Sequence, residues 1–168
     1  IKWHINSIDY QSKMSGIQYP YIKYFHERYA IGVPYSSDEG YEGAEIRLAR
    51  IRHNMEIKDV RFFRQYGYVL KTERLKSKEF IPETEFMFIK SLKPKMPKAI
   101  EEHLMVFPEG EYLCFWDDKK FGLLSEQTIK MAENKREKLI AIEYSEGLSD
   151  YGDNLRCEFQ IFTGSNDH

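Results

Sequence analysis

Apolar and polar positions along the chain change period several times. Tyr21 to Val33 is rich in aromatic and β-branched residues, and Pro34 to Gly43 reads as a turn-rich break. Ala44, Leu48, Ile51 and Met55 then recur at the spacing of one helix face, with Arg47, Arg50 and Arg52 mostly elsewhere, as on a solvated outer face. Gln65 to Lys71 and Thr84 to Leu92 read as strands, joined by a charged loop holding Lys76, Lys78 and Pro82. Pro94 and Pro97 mark a connector. His103 to Phe107 and Glu111 to Asp117 read as strands around a Pro108-Glu109-Gly110 turn. Ser125 fits the N-cap of a helix running to about Lys138, with Glu126 in its first turn and Lys135, Arg136 and Lys138 in its last. Leu139 to Ser145 and Leu155 to Thr163 read as two closing strands.

Strand, helix, strand, strand, then the same again is an internal duplication. The pattern predicts an α+β fold, a duplicated βαββ unit whose helices share one face of an antiparallel sheet. The other face is then left to water or to a ligand. The repeats fall at about 17–97 and 98–163, with 164–168 as a tail. Segment 1–16 carries Ile1, Ile5 and Ile8 at helical spacing, which suits either the end of an upstream helix or a frayed terminus.

Side-chain alternation sharpens the reading at the closing strands. In the last one, Leu155, Cys157, Phe159 and Ile161 form an apolar set that belongs under the helices. Arg156, Glu158, Gln160 and Phe162 point the other way. In the strand before it, Ile140, Ile142 and Tyr144 are expected under the helices, which sends Leu139, Ala141, Glu143 and Ser145 to the open face. Glu143 and Glu158 would then be neighbours there. Such carboxylates are either solvated or recessed among aromatics, and a recessed one needs hydrogen bonds, a raised pKa or a cationic guest.

Composition narrows the class. The chain has 168 residues and a formal net charge of −2, which suits one ordinary domain. With 42% hydrophobic and 31% charged residues it is neither a disordered tail nor a membrane protein, and no apolar run approaches the ~18 residues of a membrane span. Cys114 and Cys157 are too few for a disulfide framework or a zinc site, and a reducing cytoplasm is the expected compartment. Near-neutral charge argues against this segment itself gripping DNA. Aromatics reach 15%, with 12 Tyr and 11 Phe, a surplus that suits a ligand cavity as well as strands. The five histidines show no metal-ligand spacing, no phosphate loop or nucleophile elbow is present, and no cofactor is expected. A start at Ile1 rather than Met reads as a fragment or a processed product.

Three segments carry a family likeness. Val106-Phe107-Pro108-Glu109-Gly110-Glu111-Tyr112-Leu113-Cys114 resembles an apolar-x-Pro-x-Gly-x-Tyr turn and strand. Gln65-Tyr66-Gly67-Tyr68 resembles a Ser-Tyr-Gly strand opening, and Leu155-Arg156-Cys157-Glu158-Phe159-Gln160-Ile161 a closing strand. Their order is similar to the effector-binding, gyrase-inhibitor-like domain of MerR-family multidrug-sensing transcription activators, over about Ile17 to Thr163.

The resemblance implies a concave pocket in which a buried Glu and tyrosines receive a lipophilic cation. Glu143 takes the place of that Glu, and Glu158 matches a second acidic position. Tyr66, Tyr68, Phe115, Trp116 and Tyr144 are lining candidates, and Leu48 stands where the family carries a pocket tyrosine on the first helix. It further implies that the chain is a sensor rather than an enzyme, and that segment 1–16 is a linker or a remnant of a dimerisation helix. A homodimer would then bind promoter DNA only through a domain upstream of Ile1, with no membrane partner. The alternatives are a gyrase-inhibitor-like small-molecule hydrolase, with Glu143 as general base beside Tyr66 or Trp116, and a stand-alone protein-binding module.

Overall fold

The computed structural model describes residues 20–91, 94–120, 124–133, 138–144 and 154–164. Eight strands among them form one antiparallel sheet in the order β1-β6-β8-β7-β3-β4-β2-β5. They are β1 (Tyr21–Phe25), β2 (Arg28–Pro34), β3 (Phe62–Leu70), β4 (Pro82–Ile89), β5 (Leu104–Phe107), β6 (Gly110–Lys120), β7 (Leu139–Tyr144) and β8 (Asn154–Gly164). Helix α1 (Gly40–Glu56) follows β2 and helix α2 (Glu126–Ala132) follows β6. The duplicated α+β order expected from the sequence is therefore the observed one. Segment 1–16 and residues 165–168 of the tail lie outside the described residues.

Two strands are bent, and the bends curl the sheet. His26-Glu27 breaks β1 from β2, and Pro108-Glu109 breaks β5 from β6. Across these breaks the same two chain segments stay paired, with Phe25 opposite Gly110 and Arg28 opposite Phe107. Because β6 also pairs with β8, and β2 with β4, the pairing runs round a closed circuit. The Pro-x-Gly-x-Tyr segment makes one bend possible. Pro108 withholds a ladder donor, and Gly110 adopts a φ of 147° where a Cβ would lie 2.5 Å from the Gly164 carbonyl oxygen. The Tyr112 hydroxyl then donates to the Pro108 carbonyl at 2.7 Å.

The helices cover one face. α1 buries Ala44, Leu48, Ile51 and Met55, the four positions its period marks, against Ile31, Val33, Met87 and Ile89. α2 is capped by Ser125, whose hydroxyl accepts from the Thr128 N–H at 3.2 Å. Its Ala132, with Leu124 just before it, packs over Phe115, Leu139, Cys157, Phe159 and Ile161. The helix stops at Ala132, short of the expected Lys138, and residues 134–137 lie outside the described set.

The opposite face is not left bare. Ala30, Val69, Phe86, Phe107, Tyr112, Cys114, Ile140 and Ile142 form a third buried cluster, edged by Tyr21, Phe25, Phe88, Tyr144 and Phe162. Strands from both ends of the sheet order meet in it, so the sheet curls toward this face and makes it the concave one.

Register corrects one strand. Glu143 stands opposite Cys157, and Ile142 opposite Glu158. Directly opposed residues share a face, so Leu139, Ala141 and Glu143 lie on the helix side and Ile140, Ile142 and Tyr144 on the concave side. The expected assignment of β7 is thus reversed, and Glu143 and Glu158 lie on opposite faces. Leu-Ile-Ala-Ile is apolar at every position because both faces are buried, so its alternation carries no sign.

Candidate functional site

The candidate residues fall into two groups, one on each face. Leu48, Tyr66, Tyr68, Phe115 and Glu143 lie on the helix side; Trp116, Tyr144 and Glu158 lie on the concave side.

On the helix side the two helices stand over different strands, and Tyr66 packs against the clusters beneath both. Here β3 and its neighbours bring carboxylates and phenols together. Tyr68 stands opposite Glu85 on β4 and Ala141 on β7, two residues before Glu143. Its hydroxyl hydrogen-bonds to Glu143. From the first turn of α1, the Tyr41 ring meets Tyr35 at 5.1 Å and Tyr68 at 5.8 Å between centroids, and Tyr68 meets Phe80 at 5.4 Å. The Tyr41 hydroxyl donates to the Phe80 carbonyl at 3.2 Å. Glu85 is wholly buried, whereas Tyr41, Tyr66 and Glu143 are half-buried and reachable by solvent.

The electrostatics of this group are negative. Burial, followed by the Glu143 and Glu85 carboxylates, pushes the Tyr68 phenol far above its ordinary range. Tyr41 is raised by burial, with Tyr35, Glu143 and Glu85 adding to it. Tyr66 is raised by burial and by Glu45, against an opposing pull from Arg52. Burial also holds the Glu45 carboxyl above the usual carboxylate value. Each neutral phenol is a donor that a carboxylate accepts from, and each ring face attracts positive charge. An apolar cation is what such a group can take up. Leu48 is fully buried under α1 and Phe115 stacks on Phe159 in the core at 5.4 Å, so both are core residues.

The concave face has a different chemistry. Glu158, wholly buried, accepts from the Tyr21 hydroxyl at 2.6 Å and from the Gln160 amide at 2.6 Å. Gln160 in turn accepts from Arg28 Nη1 at 2.9 Å. The Arg28 guanidinium lies 3.8 Å from the Phe25 ring centre and 4.9 Å from those of Phe88 and Tyr112. Burial pulls the Arg28 pKa down, while Tyr112 and Glu158 favour its charged form. A cavity of about 330 Å³ opens beside this chain of groups, and Glu158, Gln160 and Tyr144 line it. Trp116 packs on Tyr144 at 4.8 Å, under the Arg156 guanidinium.

No family model matches the sequence, and no curated protein matches it. Among solved structures, the chain is similar to EcmrR in a cryo-EM structure of an EcmrR–DNA complex in EcmrR-RPo. The TM-score is 0.50 at 11% identity, over 94% of this chain and 62% of that chain. The likeness shows the fold alone. The chain spans less than two thirds of that neighbour's length.

Sequence reading missed Tyr41, Glu45 and Glu85 on the helix side, and Tyr21, Arg28 and Gln160 on the concave side. Glu85 had a visible signal, since it shares its parity with Met87 and Ile89 on a strand buried on that face. Arg28 had none, because the break at His26-Glu27 resets the alternation just before it.

Proposed function

We propose that the chain is the ligand-sensing, effector-binding part of a MerR-type transcription activator, and that Glu143 and its tyrosines receive lipophilic cations. One observation carries this reading. Glu143 is a half-buried carboxylate hydrogen-bonded to a buried tyrosine, Tyr68, which stands opposite a second, wholly buried carboxylate, Glu85. A cation entering there meets charge, aromatic faces and apolar walls at once. On the concave face, by contrast, Arg28 already fills the aromatic cage. The fold shared with EcmrR, a MerR-family regulator bound to DNA in its structure, supports the regulatory setting. Promoter contact then belongs to a DNA-binding domain upstream of Ile1 in a homodimer. Ligand acts by favouring one dimer arrangement through its differential affinity for the two.

Titrating the chain with a cationic rhodamine dye, followed by fluorescence anisotropy, tests the proposal. Glu143→Gln keeps the shape and removes the charge, and is expected to weaken binding about tenfold, or about 1.4 kcal/mol. Equal affinity for the two proteins removes the assigned role of Glu143.

A further inference from the structure

The concave face holds a cavity whose chemistry is the reverse of the tyrosine site's. At about 330 Å³ it falls at the lower end of the range of small-molecule sites. Phe25, Phe63, Phe88, Ile142 and Tyr144 supply its apolar walls.

A cation is poorly served here. The ring faces that would hold it are covered by the Arg28 guanidinium, stacked on Phe25 and close to Phe88, Phe107 and Tyr112. The carboxylate that would attract it, Glu158, already accepts from Tyr21 and Gln160. The other lining carboxylate, Glu27, accepts from the Tyr29 hydroxyl.

Three positive groups, Lys23, Arg28 and Lys90, line the same cavity. Arg28 Nε and Nη2 are buried with no hydrogen-bond partner among the described residues, while Glu158, reached through Gln160, offsets part of the guanidinium's charge. Toward solvent, Lys23 Nζ stands 4.8 Å from the Phe25 ring centre and the exposed Lys90 Nζ 5.5 Å from that of Phe63. Two ammonium groups thus lie beside the aromatic walls that an apolar body would fill. From this geometry we infer that the concave cavity binds an amphiphilic anion, a carboxylate carried on a flat aromatic body. Its rings lie against Phe63, Ile142 and Tyr144, and its charge faces Lys23 and Lys90.

The test uses one ring system with three charges. 1-Naphthoate, 1-naphthalenemethanol and 1-naphthylmethylammonium are each titrated into the chain by calorimetry. The carboxylate is expected to bind at least tenfold tighter than the neutral alcohol. Lys23→Gln/Lys90→Gln, which touches only half-buried and exposed positions, is expected to cut that preference to threefold or less. Chemical shifts on adding naphthoate are expected at Phe63, Ile142 and Tyr144. An alcohol that binds as tightly as the carboxylate, an unchanged preference in the double variant, or shifts confined to Tyr66 and Tyr68 each overturn the inference. Glu143→Gln keeps this site separable from the cation site: it is expected to weaken dye binding and leave naphthoate binding unchanged.

Discussion

Replacing Gly67 by Ala tests the packing that bends the sheet around its concave core. Gly67 sits in the middle of β3, directly opposite Phe86 on β4. A Cβ built there lies 2.3 and 2.4 Å from two carbons of the Phe86 ring and 2.9 Å from a third. Carbon atoms pack comfortably at about 3.5–4.0 Å, so the ring has to retreat by more than about 1 Å. It has little room, being fully buried with Phe107 at 4.9 Å and Phe88 at 5.1 Å between ring centres. Forcing one carbon into such a place belongs at the upper end of overpacking costs, about 2–3 kcal/mol. Urea denaturation reads the loss as a lower midpoint at unchanged slope. Gly67→Ala combined with Phe86→Leu is expected to lose at least about 1 kcal/mol less than the two single changes added together, because the smaller side chain clears the new methyl. A Gly67→Ala protein within about 0.5 kcal/mol of the parent, or strict additivity in the pair, refutes the reasoning.

Three further outcomes follow from the same geometry. Leu48→Ala empties a fully buried position under α1 and is expected to cost about 2–5 kcal/mol in urea denaturation, since the surrounding side chains cannot close the gap. Tyr41, Tyr66 and Tyr68 are held above the usual phenol value of 10.0, so the fold favours their neutral forms. That contribution is complete below the unfolded value and lost as pH rises past it; stability is expected to fall as pH rises above about 10, and less steeply in Tyr68→Phe. Burial pushes the Cys114 thiol up to about 12, so a thiol reagent at about pH 8 is expected to label it only after denaturant is added.

Much of the architecture could be read from the chain because local signals and burial agree there. The four apolar residues of α1 recur at the helical period and are the four it buries, and the Ser125 hydroxyl caps α2 where a cap residue precedes a helical run. Alternation on β8 works because its two faces meet different surroundings: Cys157, Phe159 and Ile161 pack under α2, while Glu158 and Gln160 face the concave interior. It fails on β7, where both faces are apolar. That one strand is enough to place Glu143 on the wrong side. The concave core was illegible for another reason. It depends on two bent strands that bring the ends of the sheet together, and no periodicity reports a bend. Arg28 becomes the cation of an aromatic cage only once Phe25, Phe88 and Tyr112 are assembled around it from three other strands.

The site follows from that placement. On the helix side Glu143 is half-buried among tyrosines, with Glu85 wholly buried; on the concave side Glu158 is wholly buried, with a guanidinium next to its partner Gln160. That the two faces take guests of opposite sign, as proposed, is tested directly by comparing the isosteric variants Glu143→Gln and Glu158→Gln. With a cationic rhodamine dye, the first is expected to bind about tenfold more weakly than the parent and the second within about threefold of it. The opposite order, a loss confined to Glu158→Gln, would put the cation on the concave face and contradict the account.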